Sequence, residues 1–146
     1  MNKTHLRFCL VIILLMACTG LAAAASELKD KDILGVWFGA RQQKATKTET
    51  QEICRFNADG SFSISFRRIK DGQVLEEQTE SGRWELNGNI KTMVTTHING
   101  KQLDTSKYIT DKYVIIEVTD SDMRYEHLKS GAKFRLTRVQ EGFKFP

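Results

Sequence analysis

The chain has too few cysteines to be built on disulfides. Of three, Cys9 and Cys18 lie within the first 25 residues and only Cys54 lies beyond them. An unpaired thiol in an oxidising compartment must be buried or it finds a partner, and Cys54 shares a strand face with Phe56, so it is expected in the core. Histidine is as sparse: beyond residue 25 only His97 and His127 remain. No Cys-x-x-Cys or His-x-x-x-His spacing occurs, which argues against a zinc or copper centre, and no metal or cofactor is expected. A nucleophile elbow, a phosphate-binding loop and a dinucleotide fingerprint are all missing, so no motif marks an enzyme. A basic run interleaved with aromatics is missing too. The formal charge of +4 becomes nearly balanced once Lys3 and Arg7 are set aside, and nucleic acid is not an expected partner. Without an internal repeat or a low-complexity linker, one domain is expected.

Residues 1–25 read as a processing signal. Lys3 and Arg7 give a positive start, Phe8 to Ala17 form an apolar core too short to span a bilayer, and Ala23-Ala24-Ala25 before Ser26 supplies a small-residue cleavage site. Export to the periplasm or beyond is the expectation. A competing reading uses Leu15-Met16-Ala17-Cys18, which looks like a lipobox; lipidation of Cys18 would tether the product to a membrane. Met16 is unusual in that pattern, and the alanine run favours a soluble product starting at Ser26.

From Ser26 onward, short alternating segments are separated by turn signals, the pattern of an antiparallel sheet closing on itself. Ser26 to Asp30 suits a brief helical turn capped by the serine. The first strand, Leu34 to Gln43, places Trp37, Gly39 and Arg41 on one face; the second, Thr48 to Phe56, places Thr50, Glu52, Cys54 and Phe56 on one face. Both faces run from aromatic to polar, so one end is expected greasy and the other polar, with Arg41 near Glu52. The turn Asn57 to Ser61 has the length that sets Phe56 opposite Phe62. Phe62, Ile64 and Phe66 then form a core face. Asp71-Gly72 leads to an acidic strand, 73–79, with Arg67 expected opposite Glu76 on the outside, and a short strand, 82–86, turns Trp84 and Leu86 inward. Ile90, Thr92, Val94, Thr96 and Ile98 share a face of the next strand; 101–110 is weakly patterned; 113–119 is β-branched, with Val114, Ile116 and Val118 expected inward. Met123, Tyr125 and His127 share a face, as do Phe134, Leu136 and Arg138 in the closing strand. The tail from Gln140 is left open between packing and fraying. The fold class is all-β, a single up-and-down antiparallel barrel of about eight to ten strands over 26–146.

If Trp37 and Arg138 both point inward, the guanidinium can lie on the indole and plug one end. The pairing of Gly35-Val36-Trp37 with a late Arg138 resembles the lipocalins and the smaller bacterial lipocalin-like domains, over residues 33–139. The resemblance implies structural roles for Gly35, Trp37 and Arg138. It also implies a cavity for a small apolar or amphipathic molecule. The candidate lining is Arg41 and Glu52 near the mouth, then Phe62, Phe66, Trp84, Tyr125 and His127. The opposing possibility is a barrel filled by its own side chains, serving as an accessory module whose acidic strand contacts another envelope protein. A hydrolase built on His127 ranks third, and a buried structural thiol is a better reading of Cys54 than a nucleophile.

Overall fold

The computed structural model describes residues 27–146; the expected leader, its cleavage site and Cys18 lie outside them. One helical turn, α1 (Asp30–Ile33), precedes nine strands: β1 (Gly35–Gln43), β2 (Thr48–Phe56), β3 (Ser61–Lys70), β4 (Gln73–Asn87), β5 (Ile90–Ile98), β6 (Lys101–Gln102), β7 (Ile109–Val118), β8 (Asp122–His127) and β9 (Lys133–Val139). The turn begins after Lys29, whose N–H donates to the Asp32 carboxylate at 2.8 Å, so its anchoring group is Asp32. The strands pair in the order β4-β3-β2-β1-β9-β8-β7-β5, and a β4–β5 pairing closes the ring. Eight strands thus form an up-and-down antiparallel barrel, with β6 added at the edge of β5. Closure is partial at the open end, where residues 39–43 of β1 and 73–78 of β4 pair on one side only.

The hairpin from Asn57 to Gly60 sets Phe56 against Phe62, as its length requires. Elsewhere, bulges alter the register. The expected strands 73–79 and 82–86 are one strand, β4, bent by a register shift between Ser81 and Gly82. A Cβ on Gly82 would sit 1.9 Å from the Val94 carbonyl oxygen, so only glycine lets the two backbones cross this closely. A second shift after Arg68 makes Leu75 an extra residue; Glu76 therefore pairs with Arg68, at 2.8 Å, and not with Arg67.

The β7 expectation is corrected. Tyr113 and Ile115 face inward, Ile116 is 54% exposed, and a shift between Ile115 and Glu117 brings Val118 back toward the core. In β5 the β-branched face is the outer one, half-buried, while Lys91, Met93 and Thr95 are buried. The weak segment after residue 100 holds β6, a 3-10 turn at Thr105–Lys107 and the start of β7. The tail packs on the barrel's outer wall: Phe143 lies 5.2 Å from the Phe38 ring and Glu141 pairs with Arg55. Cys54 is free and buried.

Candidate functional site

Up-and-down connectivity turns alternate residues of every strand into the bore, so the interior can be read in layers from the closed end upward. The floor is apolar. Ile33 of α1, Trp37, Phe56, Phe62, Trp84, Met93, Met123 and Leu136 are buried in one cluster. The Trp37 indole N–H donates to the Ile33 carbonyl at 2.9 Å. Arg138 lies over the same indole, 4.1 Å from its centroid, and donates to the carbonyls of Asp120 at 2.8 Å, Asp32 at 2.8 Å and Leu34. Gly39 admits Leu136, whose Cδ2 would be 2.4 Å from a Cβ placed there. Trp84 meets Phe56 edge-on at 5.7 Å and donates to the Asn57 carbonyl at 3.2 Å.

A polar layer sits above this floor. Lys91 is 1% exposed, and its ammonium lies over Tyr125 at 4.1 Å, Phe56 at 4.5 Å and Tyr113 at 5.1 Å. No carboxylate comes within ion-pair distance of it among the described residues. Burial pulls its pKa down to about 8, partly resisted by the fields of Cys54 and Glu52. Glu52 is held above the usual carboxylate range, chiefly by burial, against the pull of Lys91 and Arg41. The Cys54 thiol, 3.8 Å from the Glu52 carboxylate, is pushed well up by burial and by that carboxylate. Such a thiol is a poor nucleophile. Burial also raises the phenols of Tyr113 and Tyr125.

The open half is a depression of about 310 Å³ lined by Gln43, Thr50, Phe66, Arg67, Arg68, Glu76, Gln78 and Glu80. Glu80 accepts from Gln78 at 2.7 Å and from Thr95 at 3.3 Å. It links the mouth to the layer below. Across the mouth, Arg41 lies 4.9 Å over the Phe134 ring, which stacks on Tyr125 at 5.0 Å.

A family model described as "Lipocalin-like domain" matches residues 28–125. The chain belongs to the lipocalin-like family. A solved structure, a lipocalin-like protein from Bacteroides uniformis ATCC 8492, is similar at 22% identity over 74% of this chain and 99% of that one, with a TM-score of 0.47. No curated protein matches.

Within this lipocalin-like barrel the seven residues expected to line a cavity separate into groups. Phe62 and Trp84 are buried in the floor. Glu52 and Tyr125 belong to the polar layer, Phe66 to the mouth depression, and Arg41 to the rim. His127 shares the inner face with Tyr113, whose ring is 5.0 Å away, at the level of the rim. There it also lines a second depression, of about 320 Å³, with Thr110, Lys112 and Leu128. Its Nδ1 meets Ser130 Oγ at 2.7 Å and its Nε2 meets Asp111 at 3.1 Å. Lys91, Tyr113 and Glu80 were missed by sequence reasoning. Lys91 carries one available signal, since β5 is a strand in which the other face is β-branched throughout and the lysine therefore shares its face with Met93 and Thr95. A larger depression, about 830 Å³, lies against the closed end, between α1, Gly88-Asn89 and β7. Its lining is charged, with Lys31, Asp32, Glu117, Asp120 and Arg138, and carries no aromatic ring. Among the described residues no three metal-ligating side chains cluster.

Proposed function

We propose that this lipocalin-like protein is exported and holds a small amphipathic molecule in the open half of its barrel. The observation that carries the reading is the mouth depression itself, where Phe66 supplies an apolar wall and Thr50, Gln78 and Glu80 supply orienting groups. Its volume lies at the small end of ordinary ligand sites, about 300–1,000 Å³. The filled floor limits the ligand to the upper half, and the Glu52–Lys91 layer offers its inner end a polar contact. Titration with fluorescent fatty acids and retinoid-like probes tests this. Saturable binding is expected, weakened about tenfold by Phe66→Ala, the scale of one lost aromatic wall. Trp84, being in the floor, is the control whose replacement changes stability before binding. Absence of saturable binding across the probe panel would sink the reading. Native mass spectrometry of the protein from its own cells reports the mature N-terminus, Ser26 or an acylated Cys18, along with any passenger.

A second reading, an accessory module for another envelope protein, has its own observation. β5 ends opposite Glu80, so residues 73–78 of β4 pair with β3 alone and offer a free edge. A stoichiometric partner that is lost on Glu76→Lys with Glu77→Lys would favour it over the ligand reading. We assign no catalysis. Ser130, His127 and Asp111 are ordered as in a hydrolase relay, but Ser130 Oγ already accepts the Ala132 N–H at 3.3 Å and closes the β8–β9 turn. Ester hydrolysis that disappears in His127→Ala would overturn that assignment.

A further inference from the structure

The two ends of the barrel differ in what they show to solvent. Strands alternate in direction, so the connections 44–47, 71–72, 99–108 and 128–132 lie at the open end, and 57–60, 88–89 and 119–121 at the closed end. Every open-end hairpin carries exposed lysine, within the connection or at its edge: Lys44 and Lys47, then Lys70, Lys101 and Lys129. None of these five makes an ion pair among the described residues. The closed-end connections carry Asp59 and Asp120 and no basic residue, and the α1 turn at that end sets Lys29 and Lys31 beside Asp30 and Asp32. Apolar exposure follows the same division. Of five large apolar side chains exposed among the described residues, Val74, Leu75, Ile109 and Leu128 stand at the open rim and only Ile116 does not.

We propose that this rim docks on an anionic phospholipid bilayer, with the mouth turned toward the membrane. Lysines on separate loops around one opening act as point charges facing a plane. A negatively charged surface rewards each of them without asking for one geometry. The opposing rim charges are fewer and mostly engaged: Asp104 is tied to Lys107 at 3.3 Å, Glu76 to Arg68 at 2.8 Å, Glu126 to Lys133 at 3.9 Å and Asp111 to His127 at 3.1 Å, and Glu49 accepts from Gln42 and Gln51, leaving Asp71 and Glu77. The apolar residues are divided between the β3–β4 hairpin on one side and the starts of β7 and the β8–β9 turn on the other. They form no continuous groove for a folded partner. A fluid headgroup layer accepts such a scattered ring, each side chain entering the interface by itself. The contact needs no acyl chain on Cys18, so it differs from a tether through that residue. It does not rest on the ligand reading either, although a mouth held against lipid would shorten an amphipathic molecule's path.

Vesicle co-sedimentation tests the proposal. Wild-type protein is expected to sediment with vesicles of equal phosphatidylglycerol and phosphatidylcholine at low salt, and to be released as salt rises. It should not sediment with phosphatidylcholine alone. Each rim lysine contributes about fivefold to the partition, so Lys44→Glu, Lys70→Glu and Lys129→Glu together should lower it more than a hundredfold. Leu75→Ser with Leu128→Ser should lower it less, and leave the salt dependence unchanged. Lys29→Glu with Lys31→Glu reverses two lysines at the closed end and should leave binding near the wild-type value, whereas Lys44→Glu with Lys129→Glu, the same change at the rim, should lower it more than about twentyfold. Residues 1–26 stay the same in every protein compared, so the differences report the rim. Equal sedimentation on both vesicle types overturns the proposal. So does a rim triple variant that binds like wild type, a closed-end variant that loses as much, or a rim that pairs two protein copies without binding vesicles. Probe titration of the mouth can fail while vesicle binding holds, and the reverse, so the two readings fall separately.

Discussion

Two cations rest on aromatic rings below the mouth of this barrel, and their settings differ. Arg138 in the floor lies over Trp37 and donates to three backbone carbonyls, while Lys91 in the middle lies among Tyr125, Phe56 and Tyr113 with no carboxylate at ion-pair distance among the described residues. A guanidinium is planar, so its face can stack while its edge donates. It closes the end of the barrel by tying β9 to α1 and to the β7–β8 turn. An ammonium is compact and strongly hydrated, and π faces replace only part of that hydration. One cation stabilises the fold. The other is retained at a cost, as at sites kept for something besides stability.

The contrast can be broken most severely from the floor. Trp37→Ala removes the indole on which Arg138 rests and leaves a cavity; roughly 3–5 kcal/mol of stability should be lost in urea denaturation. Arg138→Leu keeps apolar bulk but strands the carbonyls of Asp32, Leu34 and Asp120. A loss of about 2–4 kcal/mol is expected, with Arg138→Lys recovering only part of it. A loss under about 0.5 kcal/mol would refute the floor's role as a structural plug.

Lys91→Met should move stability the other way. A lysine whose folded pKa lies near 8 against an ordinary 10.5 binds fewer protons when folded than when unfolded between those values. Its burden on the fold is therefore full below about pH 8 and is relieved as pH rises toward 10.5. At pH 7 the methionine variant should gain on the order of 2 kcal/mol, after the lost ring contacts return part of the benefit. That gain should shrink steadily above pH 8. The raised Tyr113 and Tyr125 pull stability down with rising pH, but they are present in both proteins and largely cancel in the difference; Cys54, whose rise Lys91 restrains, does not cancel and adds to the pH dependence at the alkaline end. A gain independent of pH, or a loss at pH 7, would mean that Lys91 is compensated after all. The smallest effect belongs to the open mouth: Arg68 and Glu76 are each about half exposed, and Glu76→Gln should cost under about 0.5 kcal/mol, less at high salt.

Much of this was legible because alternation in a half-buried strand has a period of two, and turn chemistry sets where one strand stops and the next starts. Asn57-Ala58-Asp59-Gly60 put Phe56 opposite Phe62, and the closing strand's Phe134, Leu136 and Arg138 shared a face as read. Reading failed where a bulge added one residue. After Arg68 it moved Glu76 to a different arginine, and beyond Ile115 it re-phased β7, so that Ile116 went to solvent and Ile115 to the core. The candidate lining split for a different reason. Sequence gives the face of a residue but not its height in the bore, so Phe62 and Phe66, four residues apart on one strand, read alike although one is floor and the other mouth.

Local period, turn residues and composition were enough for the all-β class, strands in consecutive pairs, a buried Cys54 and a greasy and a polar end. What local pattern could not supply is that Lys91 points inward among three rings, that Glu80 joins the mouth to the layer beneath, and that His127 sits at the rim beside Tyr113, held by Asp111 and Ser130. Those placements depend on barrel closure, in which β4 crosses β5 at Gly82 and the stagger of every strand sets the level at which its side chains meet.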